Sequence, residues 1–187
     1  MPVDAVLWLM ILNGVIKAMG QGVWEDEFDL SPRGLPISFF AVIAYLPFYF
    51  ICVKAAVKYN AVDGHVPFLA IAVILTLMSL SFPLIAYVLT MLFDKMAVFR
   101  PWVIVRNWTV LFAIMAMSVG FGLYLIGLVP FSVAYVLGLF LYLATLVIDI
   151  RLAARIGEFE WGLSVFAAIL INLSAMMILL MGLTQTL

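Results

Sequence analysis

The sequence predicts an all-α polytopic membrane protein, a bundle of five transmembrane helices with an N-terminal amphipathic helix in the membrane interface. Three observations predict it. Of 187 residues, 68% are hydrophobic and 10% are charged, whereas soluble chains are about half apolar and a quarter charged. The mean hydropathy is +1.29. Five segments, over residues 35–57, 66–93, 102–129, 131–150 and 162–183, are long enough to cross a bilayer, which takes about 20 mostly apolar residues. The division is a single integral membrane domain, with 1–34 as interfacial helix and acidic loop and 35–187 as the bundle.

The first segment runs from Ala5 to Trp24. Asn13, Lys17 and Gln21 recur every four residues and share one helical face, while Leu9, Leu12, Ile16 and Met19 can share another. That pattern favours a helix lying in the interface; the alternative is a sixth span. Asp4 in place of a basic n-region, and Lys17 within the apolar stretch, argue against a secretory signal. An acidic run, Glu25-Asp26-Glu27 and Asp29, then leads into the turn Ser31-Pro32-Arg33-Gly34.

The spans follow in order. Pro36, Pro67 and Pro101 stand at or just before helix starts, where a missing N–H costs little. Pro47 and Pro83 fall inside the first and second spans, where each removes a backbone hydrogen bond. The second and third spans exceed a perpendicular crossing and should tilt or extend beyond the interface. Arg33, Lys95, Arg100, Arg106, Arg151 and Arg155 fall on one side, Lys54 and Lys58 on the other. The basic-rich side is read as cytoplasmic, in a bacterial inner membrane, with the C-terminus outside. The loop at Val129-Pro130 carries no charge, as suits an exterior hairpin.

Composition excludes several classes. Net charge is −1, and no basic block suggests nucleic acid. His65, in the loop Asp63-Gly64-His65, is the only histidine and Cys52 the only cysteine. A metal site needs several converging ligands, so no metal is expected. Cys52 reads as a small hydrophobe, and His65 as a solvated polar residue. No HExxH, GxSxG, P-loop or GxGxxG is present. No catalytic residue and no cofactor are expected.

The polar groups at span depth are the candidates for function. Arg106 and Asn107 lie about one turn inside the third span, and Asp149 lies near the end of the fourth beside Arg151 and Arg155. An ionised group at that depth is costly unless paired or hydrated, so Arg106 and Asp149 read as an interhelical ion pair. The cluster serves either as a site for a lipid head group or substrate, or as a structural pair with arginines snorkelling to phosphates. Asn172, mid-span in the last helix, needs a partner on a neighbouring helix. Thr76, Ser79, Ser81 and Ser118 are its polar companions and can bond their own backbone. Ala116 with Gly120, and Ser118 with Gly122, show the four-residue spacing of small residues at close helix crossings. Trp8, Trp24, Trp102, Trp108 and Trp161 read as an aromatic interfacial belt.

Pro83 in the second span, Phe99-Arg100-Pro101 followed by Arg106-Asn107-Trp108 entering the third, and the five-span layout resemble the Yip1-type membrane family, over roughly residues 35–183. Phe28-Asp29-Leu30-Ser31 with Ser38-Phe39 also resembles small bacterial inner-membrane proteins of this shape. The resemblance rests on helix number, orientation and these scattered features.

With few catalytic groups, the chain reads as a non-catalytic accessory or assembly subunit of a larger membrane complex, contacting membrane lipids and other integral membrane subunits. The alternative is a small transporter or lipid-handling protein using the polar cluster. The orientation is testable by cysteine labelling in a Cys52→Ala background. A cysteine at Leu187 is expected to react from outside only, and reaction from the cytoplasm alone would reverse the assignment.

Overall fold

The computed structural model describes residues 3–60 and 68–186. It is 85% helical, with no strand among the described residues. The elements are α1 (Val3–Met19), α2 (Gly34–Ser38), α3 (Phe40–Tyr59), α4 (Phe68–Leu92), α5 (Met96–Leu125), α6 (Phe131–Arg155) and α7 (Trp161–Thr186), with a 3₁₀ turn at Glu25–Glu27. α2 and α3 form one apolar stretch, Gly34–Tyr59, and with α4 to α7 this makes, among the described residues, five helices long and apolar enough to cross a membrane. α1 is a shorter apolar helix. Asp63, Gly64, His65, Val66, Pro67 and Leu187 lie outside the described residues.

Short links reverse the chain between α4, α5, α6 and α7. These four close a ring in which α5 and α7 each pack on both α4 and α6, while α3 lies outside the ring against α5. α5 is the hub, since it also touches α1 and α2. One end of the bundle therefore gathers the starts of α3, α5 and α7 and the finishes of α4 and α6. It carries Arg33, Lys95, Arg100, Arg151, Arg155 and Glu158, and is called the charged end below.

Two apolar cores divide the bundle. The larger joins Phe82, Ala86 and Leu89 of α4, Trp102 to Val105 of α5, Leu152 and Ala153 of α6, Ala167 and Ile171 of α7, and Ile11, Val15 and Ala18 of α1. The smaller joins Ala41 and Tyr45 of α3, Ile71 and Leu75 of α4, and Leu111 of α5. Both set aromatic rings, Phe82 and Trp102 in the larger and Tyr45 in the smaller, among small and branched side chains, and the small ones let backbones approach closely where lipid gives little hydrophobic drive. At the end opposite the charged one, Lys58 donates to the Leu125 carbonyl at 3.1 Å, which satisfies an acceptor at the C-terminus of α5. Tyr59 stacks on Phe131 there with ring centroids 3.9 Å apart.

Several sequence expectations are corrected. α5 begins at Met96, not Trp102, so Pro101 lies inside the helix rather than at its start. As the sixth residue of α5, Pro101 lies past the turn whose N–H groups lack partners, so it leaves the Ala97 carbonyl without its usual helical donor. α6 continues to Arg155, which makes Arg151 and Arg155 helical. The bundle-facing stripe of α1 is Ile11, Gly14, Val15 and Ala18, while Leu9 and Ile16 are exposed. Gly14 is selected by closeness: a Cβ there would stand 2.7 Å from both Glu27 Cβ and Phe28 Cε2. Nor do the tryptophans form one belt. Trp102 is fully buried and Trp24 nearly so. Trp8 meets Trp108 edge-on, and Trp161 is left exposed.

The turn into α2 depends on one glycine. A Cβ on Gly34 would lie 1.6 Å from the Asp29 carbonyl oxygen, a backbone atom that no rotamer can move aside. Gly34→Ala is expected to lower stability in detergent by about 1–3 kcal/mol, the range for overpacking, as read by thermal unfolding. An unchanged midpoint would show that the turn relaxes freely.

Candidate functional site

The candidate site is built by one residue from each of α5, α6 and α7. Arg106 Nε donates to Asp149 Oδ1 at 2.7 Å, and its Nη2 donates to Oδ2 at 3.1 Å. This two-point geometry matches the planar guanidinium to the carboxylate. Asn172 donates its amide to the same Asp149 Oδ2 at 3.0 Å and also to the Ala168 carbonyl one turn back at 2.9 Å. The Arg106 guanidinium carbon lies 4.1 Å from the centroid of the Phe82 ring on α4, a cation–π contact. Asp149 is 3% exposed. All four ring helices thus meet at one charge.

The site sits deeper than the sequence places it. With α5 starting at Met96, Arg106 stands ten residues along the helix, about 15 Å at the α-helical rise. Asn172 stands eleven residues along α7, about 16 Å. At the centre of a spanning helix an arginine or aspartate costs about 2.5–3.5 kcal/mol on insertion scales, and mutual pairing offsets that for both partners.

The other members of the expected cluster lie elsewhere. Asn107, one residue on, points to a different neighbour and donates to Ser38 Oγ of α2 at 3.0 Å. Ser38 is itself fully buried and donates to the Leu35 carbonyl, so this bond pins α2 to α5. Arg155 donates to the backbone carbonyls of Lys17, at 2.8 Å, and Gly22. It ties down the segment after α1 rather than joining Asp149. Arg151 is exposed and has no partner among the described residues. The split follows helical geometry: residues one or two apart on a helix face different ways.

The small-residue pairs are likewise reassigned. Gly120 faces α6, where its Cβ position lies 3.7 Å from Leu137 Cδ1 and 3.8 Å from Ala134 Cα. Gly122 faces α3, 3.9 Å from Ile51 Cγ2. Ser118 is buried and donates to the Met115 carbonyl. Ala116 is exposed. Three of the four are thus turned towards helices of the same chain. A closer approach missed in the sequence is at Gly138 of α6, whose Cβ would stand 2.9 Å from Phe121 Cε2. Thr76, Ser79 and Ser81 donate to carbonyls of their own helix, and Ser79 Oγ also bonds the Tyr45 hydroxyl of α3.

Among the described residues no group of three or more His, Cys, Asp or Glu side chains is placed to hold a metal. The indole N–H of buried Trp102 has no hydrogen-bond partner among the described residues. Two apolar grooves open on the surface, one lined by Trp8, Ala44, Phe48, Leu111 and Met115, the other by Tyr59, Pro130, Phe131, Ser132 and Tyr135. Neither is lined by Arg106 or Asp149. Outside the spans, hydrogen bonds from Ser31 hold the Asp29 carboxyl below its ordinary pKa.

Comparison of the chain with protein-family models, curated proteins and solved structures finds no match. None of these comparisons supports the likeness to Yip1-type proteins.

Asp149→Asn is expected to destabilise the bundle by up to about 3–5 kcal/mol, the range for stranding one member of a buried pair. Adding Arg106→Gln is expected to recover part of that loss. A double-mutant cycle by thermal unfolding in detergent checks it, and strictly additive losses would mean that the pair carries no coupling.

Proposed function

We propose that this integral membrane protein is a non-catalytic accessory or assembly subunit of a larger membrane complex. It would contact lipids and other integral membrane subunits through its outer helix faces. The charged end would face the cytoplasm of a bacterial inner membrane, with the C-terminus outside. The observation that carries this reading is the closure of the Arg106–Asp149–Asn172 network. Both carboxylate oxygens of Asp149 are already held by donors of the chain itself. A substrate would have to displace a two-point ion pair before meeting either charge, so the network favours a structural role for the cluster.

Gly120 and Gly122 face α6 and α3 of the same chain and so offer no docking surface. The outer face of α6 is the better surface. Val136, Phe140, Leu143 and Val147 are 62%, 71%, 53% and 56% exposed. They follow the spacing of a single helical stripe.

The test compares two variants for recovery of co-migrating membrane proteins in mild detergent and for complementation of a deletion strain. With both variants folded, Phe140→Ala is expected to lose associated subunits at least several-fold, and Asp149→Asn to keep them. Retained association with lost complementation in Asp149→Asn would instead favour transport or lipid handling through the polar cluster.

A further inference from the structure

The contacts of α1 fix its inclination. Arg106 and Asp149 set a common level on α5 and α6. From there Arg155, six residues further along α6, lies about 9 Å towards the charged end. It holds the Lys17 carbonyl near the finish of α1. In the opposite direction Trp108 and Phe112 lie two and six residues beyond Arg106, about 3–9 Å deeper. Those two rings receive Trp8, with centroids 5.9 and 6.4 Å away. Trp8 and Lys17 therefore differ in depth by about 12 Å or more, close to the whole rise of about 13 Å over the nine residue steps from one to the other. A helix lying flat across the bundle end would hold both at one level.

The distribution of polarity along α1 agrees. Val6, Leu7, Trp8, Leu9 and Met10 are all apolar and 41–56% exposed, so this part of the helix has no polar side to turn to water. The polar pair lies nearer the charged end, where Asn13 and Lys17 both reach Glu27 Oε1. Glu27 belongs to the chain that folds back beneath Gly14. The basic head of α1 is thus neutralised within its own hairpin.

We propose that α1 is immersed in the bilayer beside α5, inclined steeply, with residues 6–10 forming a contact surface for phospholipid acyl chains. At 17 residues the helix is about 26 Å long, most of a hydrocarbon core of roughly 30 Å. The groove between Trp8, Ala44, Phe48, Leu111 and Met115 lies at the same depth and is apolar throughout, so it takes a single acyl chain. Acyl chains are the occupant because this surface continues, level for level, the lipid-facing sides of the flanking spans.

The test places an environment-sensitive fluorophore on Leu9→Cys or Ile16→Cys, both in the Cys52→Ala background, in phosphatidylcholine vesicles. The lipids carry bromine either at mid-chain or close to the head group. Leu9 and Ile16 are 53% and 56% exposed, so labels there disturb packing little. Leu7→Cys, at a position 56% exposed, replaces Leu9→Cys if that variant fails to fold. The label at position 9 or 7 is expected to be quenched at least twofold more by mid-chain bromine than by head-group bromine, and the label at 16 the reverse. Equal, shallow quenching at both depths would return α1 to the membrane surface and overturn the proposal. A label at 9 or 7 that no brominated lipid quenches would mean a second copy of the chain covers this face, which would also overturn it.

Discussion

A buried carboxylate sets the terms for the rest of the bundle. Asp149 sits on a lipid-spanning helix and has almost no solvent, so its charge has to be met by donors from other helices. Arg106 and Asn172 meet it from either side, and Phe82 lies against the guanidinium. These contacts bind one residue each from α4, α5, α6 and α7, the four helices that close the ring. Apolar packing alone would let neighbouring helices slide or rotate, because lipid offers them nearly equivalent contacts. A two-point ion pair does not slide. A shift of one residue in α6 would rotate Asp149 by about 100° away from its partners, so the pair sets rotation and register together.

The smaller core illustrates a different way of holding a helix. α3 contributes no charge to the network and is fastened at separate points along its length. Ser38, just before it, receives Asn107. Tyr45 meets Ser79 in the middle, and Lys58 reaches the Leu125 carbonyl at the finish. Each fastening is a neutral or single-charge hydrogen bond, of the kind that in membranes averages well under 1–2 kcal/mol. α3 is thus attached to a ring that closes without it.

Much of this was legible in the sequence. Spans are plain because hydrocarbon demands long apolar stretches and tolerates little else. The Arg106–Asp149 contact could be read from the cost of isolated charge at depth. Asn172 was legible as a residue in need of a partner, but not the identity of that partner. The depth was misjudged because the start of α5 was set at Pro101, whereas the helix begins five residues earlier and carries that proline in its interior. Asn107 and Arg155 were grouped with the cluster by nearness in sequence, and helical rotation sends each to another neighbour. Gly120, Gly122 and Ser118 were legible as contact residues, but composition does not say whether the neighbour is the same chain. Trp102 was taken for an anchor at the membrane surface because tryptophans favour interfaces. Its place between Phe82 and Phe159 depends on tertiary packing, which sequence periodicity does not carry.

The hold of Arg155 on the carbonyl of Lys17 spans 138 residues of chain. During synthesis α1 leaves the ribosome well before this partner, which arrives only after α6 is complete. Until then the apolar side bearing Ile11, Val15 and Ala18 has no Leu152 or Ala153 to rest on. The attachment of α1 is therefore staged: Glu27 and the rings of α5 can meet it early, and the clasp of Arg155 closes last. Completion of this one contact waits on translation of the distant helix rather than on helix formation in α1, which takes on the order of a microsecond.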